Sequence, residues 1–231
     1  MRPIRRVWIT RAQPGAARTA ARLTALGFVP VVAPLLTIRP LPEALHAALP
    51  LSNVAALAFT SPNGVTAFAA LTPELRALPV FAVGDATAEA ARAAGFHDAR
   101  SAAGDVHDLA RLIAASPIQG LILAPGAREP AGDLPALLPD HAVQRLPVYA
   151  AEETDATPPA DFDTVLVHSP RAARALAATL TPQTAGQHLA VCISAAAAAP
   201  LAALGFVEIR IADAPDEASM LTALGKSVSA V

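Results

Sequence analysis

Short apolar runs alternate with alanine-rich stretches along the whole chain, and this alternation predicts its elements. Val7–Thr10 (VWIT) and Val54–Thr60 (VAALAFT) are apolar at consecutive positions and are predicted to be buried strands. Pro14–Leu26 and Pro62–Leu71 have the termini of helices. Further strand patterns are VPVVAPL, VFAVG, LILAPG, VQRLPVY, TVLVHS and LAVCIS. Strands that are apolar on both faces and alternate with helices indicate an α/β fold with parallel sheets.

The chain also resembles itself. LAFTSPNGVTAFAAL is similar to VLVHSPRAARALAATL, so that Ser61-Pro62 matches Ser169-Pro170. FAVGDATAEAARAAGF is matched by VCISAAAAAPLAALGF, where five alanines stand in the second copy. A weaker pair joins the N-terminal WITRAQPG segment to the segment that starts with LILAPG, with Pro34 and Pro147 at equivalent strand ends. The repeats predict two similar α/β lobes.

Two extended, proline-bounded segments are the expected crossings between the lobes, near 34–42 and 146–159. If they pair, they form a two-stranded β-ladder that acts as a hinge. The predicted lobe 1 is then discontinuous, residues 1–37 plus 154–231, and lobe 2 is residues 38–153.

Composition narrows the class of protein. Hydrophobic residues make up 54% of the 231 positions and charged residues 16%, so the chain can bury a real core. The formal charge of -2 and the pI near 6.3 argue against nucleic-acid binding. Cys192 is the only cysteine, so no internal disulfide is possible. The basic N-terminus is a poor signal peptide, and no apolar stretch is long enough for a membrane span. We expect a soluble, cytoplasmic protein.

Candidate chemistry lies in the turns that follow the strands. In parallel sheets ligands bind beyond the carboxyl ends of the strands, where helix N-termini present free amides and a positive dipole end. Each such Ser, Thr or Asp can also be an ordinary helix cap. Six equivalent turns together favour an anion site, and they are Thr10-Arg11, Ser61-Pro62-Asn63-Gly64, Gly84-Asp85-Ala86-Thr87, Pro125-Gly126-Ala127-Arg128, Ser169-Pro170-Arg171 and Ser194-Ala195.

Other candidate residues give weaker signals. The six histidines lack the spacing of metal ligands, so we expect surface or capping roles for His46, His97, His107, His141, His168 and His188. No phosphate loop or dinucleotide fingerprint is present, which disfavours a nucleotide-dependent enzyme. Cys192 is expected to be a buried, inert thiol. Tyr149 is the only tyrosine, and it either donates a proton or packs between the lobes.

Taken in order, these motifs resemble the uroporphyrinogen-III synthase family over almost the whole chain. The resemblance rests on ITRAQPGAARTAARLTALGFVPVVAPLLTIRP, FTSPNGVTAF, AVGDATAEAARAAGF, VQRLPVYAAEE, VLVHSPRAARAL and LGFVEIRIADAPDEASMLTAL. It implies two α/β lobes joined by a two-stranded ladder. It also implies a monomeric lyase without metal or cofactor, which cyclises hydroxymethylbilane with inversion of the last pyrrole ring and loss of water.

The resemblance assigns roles to particular positions. Tyr149 matches the family's linker tyrosine, the usual candidate for the acid. The substrate-binding residues would be Thr10, Arg11, Ser61, Asn63, Gly84, Arg128, Ser169, Arg171 and Ser194. The sequence departs from the family at Ala196 and Ala197, where threonines are common, and His168 stands where the twin has Thr60. The alanine run supports an alternative, a non-catalytic two-lobed tetrapyrrole- or anion-binding protein.

Overall fold

The computed structural model describes residues 6–44 and 51–225. The chain forms two compact units, unit 1 from Met1–Thr37 with Glu152–Val231, and unit 2 from Ile38–Ala151. In chain order the described elements are β1 (Arg6–Ile9), α1 (Gly15–Ala25), β2 (Val29–Val32), β3 (Leu36–Pro40), β4 (Val54–Phe59), α2 (Pro62–Leu71), β5 (Val80–Ala82), α3 (Asp85–Ala93), β6 (Ala99–Ser101), α4 (Val106–Ala114), β7 (Leu121–Ala127), β8 (Val143–Glu153), β9 (Thr164–Val167), α5 (Pro170–Thr179), α6 (Pro182–Ala185), β10 (Leu189–Cys192), α7 (Ala195–Ala198), β11 (Glu208–Ile211) and α8 (Glu217–Gly225). Short 3-10 turns occupy Leu51–Asn53, Pro135–Leu137 and Ala199–Leu204.

Unit 1 is built on a parallel sheet with helices on both faces. Among the described residues, its strand order is β11-β10-β9-β1-β2, and each neighbouring pair is parallel. Strand residues alternate between two cores. Trp8 and Val165 pack with α5 and α7 on one face, whereas Ile9 and Leu166 pack with α1 and α8 on the other. The sheet is therefore buried on both faces, as its continuous apolar strands predict.

Unit 2 contains a second sheet with the order β3-β8-β7-β4-β5-β6 within the described part of the chain. The pairs from β8 to β6 are parallel. Phe59 of β4 and Phe68 of α2 belong to one core cluster, and Phe81 of β5 and Ile113 of α4 belong to a second one. All four of these side chains are fully buried.

Apart from β3, which is an additional strand at one edge of the unit 2 sheet, the two sheets have the same topology. In unit 1 the chain leaves β1 toward β2 but leaves β9 in the opposite direction, toward β10. In unit 2 it leaves β7 toward β8 and leaves β4 toward β5. Connections that diverge from neighbouring parallel strands open a crevice at the carboxyl edge of the sheet, and α/β proteins bind ligands at such points. Each unit therefore has one such point, which lies between β1 and β9 in unit 1 and between β7 and β4 in unit 2.

The predicted α/β class with two parallel-sheet lobes is confirmed, and α2 has the predicted bounds. The alanine run forms a shorter helix than its repeat, in which α3 runs for nine residues. The alanine run makes only four α-helical residues before a 3-10 turn begins at Ala199. Pro200 lacks the amide that would continue the helix. The predicted hinge stays a prediction, although β3 and β8 are neighbours in the sheet and each contains a unit boundary. Among the described helices, none is long and apolar enough to cross a bilayer.

Candidate functional site

Tyr149 and Ser61 form the clearest constellation in unit 2. The hydroxyl oxygens of the two side chains lie 3.0 Å apart and share a hydrogen bond. Ser61 is also the N-cap of α2, where its Oγ accepts from the amide of Gly64 at 3.1 Å. Gly64 is closely fitted, because a Cβ there would lie 2.8 Å from the carbonyl oxygen of Pro125. The phenol, the serine hydroxyl and a helix N-terminal amide are thus linked in series.

Two opposing influences act on the acidity of the Tyr149 phenol. Burial raises the pKa of Tyr149 above its ordinary value, and the hydrogen bond from Ser61 lowers it. Burial is the larger influence, so the phenol holds its proton at neutral pH. Only 7% of the residue is exposed. Tyr149 is therefore a neutral hydroxyl, and its partner Ser61 can steady the phenolate once the proton leaves.

The other predicted residues of unit 2 lie at the same edge of its sheet. Arg128 follows β7, is exposed, and donates its backbone amide to the carbonyl of Tyr149 at 2.8 Å. Asn63 lies half-buried in the first turn of α2. Gly84 caps α3 through its backbone, and Asp85 puts a carboxylate in that first turn, which opposes a second anion there. Ser61, Arg128 and Tyr149 thus come together in unit 2.

In unit 1, Thr10 and Arg11 follow β1. Thr10 is fully buried, and its hydroxyl donates to the carbonyl of Leu166 at 2.7 Å, which ties β1 to β9. Arg11 donates from Nη1 to Glu217 at 3.0 Å, and Glu217 also accepts from Thr19 at 2.6 Å. Burial lowers the pKa of Arg11, and the charge of Glu217 opposes this. A ligand carboxylate that binds to Arg11 therefore competes with Glu217.

Serines cap two further helices in unit 1. Ser169 accepts from the amide of Ala172 at 3.1 Å, with the same geometry that Ser61 has in unit 2. Ser194 caps α7 more weakly, since its Oγ lies 3.3 Å from the amide of Ala197. Arg171 lies half-buried in the first turn of α5. The repeat seen in the sequence is thus a repeat in hydrogen bonding.

His168 differs from the expectation. The sequence predicts a surface or capping role, but Nδ1 and Nε2 of His168 are both buried and neither has a hydrogen-bond partner. Burial lowers the pKa of His168 well below its ordinary value, and the nearby charge of Arg11 lowers it further. The ring is therefore neutral. The sequence signal that could have indicated a buried His168 is its position directly before the Ser169-Pro170 motif, at the end of an apolar strand. His46 lies outside the described residues.

A cavity of about 550 Å³ lies at the opposite edge of the unit 1 sheet. Its lining includes Asp161, Phe162 and His188, which precede β9 and β10. Phe162 stacks on His188 with ring centroids 3.9 Å apart. Strand amino ends lack the helix N-termini that favour anions, so this cavity is a poorer candidate than the carboxyl edge. No cluster suited to a metal ion occurs within the described ranges.

The fold is similar to those of solved uroporphyrinogen-III synthases. Uroporphyrinogen-III synthetase from Helicobacter pylori is 18% identical, with 95% of this chain and 97% of that chain aligned and a TM-score of 0.64. A mutant uroporphyrinogen III synthase from the extremely thermophilic bacterium Thermus thermophilus is also 18% identical, with coverages of 96% and 99% and a TM-score of 0.55. This level of identity shows a shared fold. No curated protein sequence matches the chain.

Family membership rests on the sequence itself. The family model described as uroporphyrinogen-III synthase HemD matches residues 17–222, which is most of the chain. That stretch contains every predicted site residue except Thr10 and Arg11. The chain therefore belongs to the uroporphyrinogen-III synthase family of cyclising lyases, which act without a cofactor.

Proposed function

We propose that this protein cyclises hydroxymethylbilane to uroporphyrinogen III, with Tyr149 as the proton donor. Family membership gives the reaction class. The observation that carries the residue assignment is the 3.0 Å hydrogen bond between the hydroxyls of Tyr149 and Ser61. It lies at the carboxyl edge of a parallel sheet, where α/β proteins bind their ligands.

The proton path follows from this arrangement. The Tyr149 O–H protonates the hydroxymethyl oxygen of the substrate, the C–O bond breaks, and water departs with formation of an azafulvenium electrophile. Ser61 turns its O–H toward the phenolate, while the amide of Gly64 donates to Ser61. Hydrogen bonds to the charged form favour that form, so this chain offsets part of the penalty of burial. After the final ring closure, the pyrrole carbon that has formed the new bond loses its proton, and this proton returns to the phenolate of Tyr149.

Positioning supplies the choice of isomer. The far pyrrole ring attacks at its substituted carbon and gives a spiro intermediate, which fragments and recloses with that ring inverted. The protein must keep the unsubstituted carbon out of reach, which is a matter of holding the chain in one geometry. The acetate and propionate groups need several anion sites, and the N-termini of α2 and α5 are suited to bind them. Backbone donors reconcile a polyanionic substrate with a protein of net charge -2.

The remaining binding residues are part of the same proposal. We assign substrate contacts to Asn63, Gly84, Arg128, Arg171 and Ser194, which lie in the turns after strands or at the N-termini of the helices that follow them. We also assign Thr10 and Arg11 to the substrate-binding site. Thr10 is buried and Arg11 is paired with Glu217, so both contribute from beneath the surface of the site. We also propose that the protein acts as a monomer in the cytoplasm. The family resemblance implies the monomer, and a chain whose only cysteine is Cys192 fits a reducing compartment. Light scattering after size exclusion tests the monomer.

The decisive experiment is an isomer assay. Hydroxymethylbilane is generated enzymatically, mixed with the protein, oxidised and resolved into isomers I and III by chromatography. We expect isomer III well above the blank without protein. If only isomer I forms, at the blank rate, the protein does not catalyse the reaction. Binding of the product without turnover would then support the alternative, a non-catalytic tetrapyrrole-binding protein.

A further inference from the structure

The proposed reaction assigns no role to His168, although this residue lies at the carboxyl edge of the unit 1 sheet. It directly follows β9 and directly precedes Ser169, the N-cap of α5. It therefore lies at the crevice between β1 and β9, where the connections of the unit 1 sheet diverge. Arg11 follows β1 on the other side of that crevice, close enough for its charge to act on the imidazole.

The hydrogen bonding of His168 is incomplete. Both ring nitrogens are buried, and neither has a partner. Buried polar atoms in native proteins are nearly always hydrogen-bonded, so an exception calls for a ligand, an ion or a water. Arg11 opposes a cation beside this ring, and no metal cluster occurs in the described ranges. A ligand with hydrogen-bonding groups remains the best fit.

The chemistry of the ring defines the ligand. A neutral imidazole offers one N–H donor and one bare nitrogen acceptor. The matching ligand must carry an acceptor and a donor close together. A pyrrole with an acetate or propionate side chain has both, since its carboxylate accepts and its ring N–H donates.

We propose that His168 binds the substrate in unit 1, with its N–H donated to a substrate carboxylate. This inference rests on the proposed function. The N-terminus of α5 adds a second attraction for the same carboxylate, because a helix of ten residues ends there in free amides and a positive dipole end. The equivalent position of the other repeat is Thr60, so the imidazole is specific to one half of the molecule.

Steady-state kinetics provide the first test. We expect His168→Thr, which introduces the residue of the twin position, to raise the KM for hydroxymethylbilane about tenfold, the effect of one hydrogen bond to a charged group. The kcat should change less than about threefold, because ground-state binding is lost. His168→Gln keeps a donor and an acceptor and should restore most of the affinity.

His188 provides a matched control. It is a second histidine of unit 1 with a buried, unpartnered Nδ1, but it lies at the opposite edge of the sheet. We expect His188→Gln to leave the KM unchanged. An equal rise of KM in both variants would indicate a general loss of structure and would overturn the proposal.

NMR of the wild-type protein tests the contact without any substitution. Histidine is labelled with ¹⁵N in the ring, and the spectrum is recorded during titration with anaerobic uroporphyrinogen III. We expect the ring signals of His168 to move at saturation and those of His188 to stay. Signals of His168 that indicate hydrogen-bonded nitrogens before titration, and that do not move, would reveal an ordered water and overturn the inference.

The outcomes separate the inference from its premise. An active protein whose His168 signals stay fixed, or whose H168T variant keeps the wild-type KM, contradicts the role of His168 alone. A protein that makes no isomer III and binds no uroporphyrinogen III contradicts the proposed function and, with it, the inference.

Discussion

The two halves of the molecule repeat one capping motif and differ in the residue placed beside it. Ser61 and Ser169 both cap a helix that begins with proline, and each accepts from the third helical amide at 3.1 Å. In unit 2 the serine also bonds to Tyr149. Leu36 is the unit 1 residue that occupies the matching place, two positions after Pro34 as Tyr149 is after Pro147. Unit 1 instead has His168 before its serine.

With the roles proposed for Tyr149 and His168, the duplicated scaffold divides its tasks between the two units. Unit 2 keeps a hydroxyl pair that can release a proton, and unit 1 keeps a neutral imidazole that is suited to binding. Both units share the serine-capped helix N-terminus. The neighbouring side chain, Tyr149 in unit 2 and His168 in unit 1, sets the chemical property of each site. Substitutions at matched positions of the two units can separate these tasks.

The proton-donating half is tested most directly by Tyr149→Phe. We expect kcat to fall about hundredfold, the lower end of what general acid catalysis contributes, because the ring still packs while the O–H is gone. Isomer III should remain the main product, since positioning is retained. An unchanged rate with hydroxymethylbilane would remove Tyr149 from the mechanism.

The matched pair Ser61→Ala and Ser169→Ala compares the caps themselves. Each should lose about 1 kcal/mol of unfolding free energy with its cap. Ser61→Ala should lose about 1–3 kcal/mol more, because the buried Tyr149 hydroxyl is left without its partner. Its kcat should also fall further than that of Ser169→Ala. Urea unfolding and initial rates measure the two effects, and equal losses in both variants would show that Ser61 has no role beyond its cap.

The neutral imidazole predicts a pH dependence of stability. The pKa of His168 is lowered in the folded state, so below about pH 6.5 the unfolded chain binds a proton that the folded protein does not. Stability therefore falls as the pH drops below that value, by at most about 1.4 kcal/mol per pH unit, and is unaffected above it. Urea unfolding at pH 7.5 and 5.5 should show a smaller loss for His168→Thr. His188 is present in both proteins, so its contribution cancels, and equal slopes would contradict the prediction.

The smallest effect, a local change of secondary structure, is expected in the repeated segments that end in Gly-Phe. After β5 the helix α3 runs for nine residues, whereas after β10 the helix α7 stops after four and Pro200 follows. Pro200→Ala restores an amide, so we expect α7 to extend toward Leu204. Backbone chemical shifts from NMR would report the added helix. A 3-10 turn that persists in the variant would show that packing of the buried Leu201 sets the turn instead.

Local patterns made the fold predictable. Continuous apolar strands, proline at helix starts and two copies of one motif are all visible in the sequence, and they suffice for the class and for α2. Proline also explains why the connection from β1 to β2 contains a helix and the equivalent connection from β7 to β8 does not. The segment after β7 contains Pro130, Pro135 and Pro139 and forms only a 3-10 turn, whereas the segment after β1 forms α1.

The candidate site was only partly predictable, because its contacts join residues that are far apart in sequence. Tyr149 lies 88 positions from Ser61, and Arg11 lies 206 positions from Glu217. Neither spacing is a pattern that a single sequence reveals. The burial of His168 depends on packing around a strand end, which composition does not report.

The order of the strands in unit 1 has a consequence for how the protein is made. β1 is held between β2 and β9, and β9 begins more than 150 residues after β1 on the ribosome. A nascent chain therefore completes the continuous unit 2 while β1, α1 and β2 still lack their neighbour. Because domains fold as units during synthesis, the half with Tyr149 matures first, and the half with His168 assembles only when both ends of the polypeptide exist.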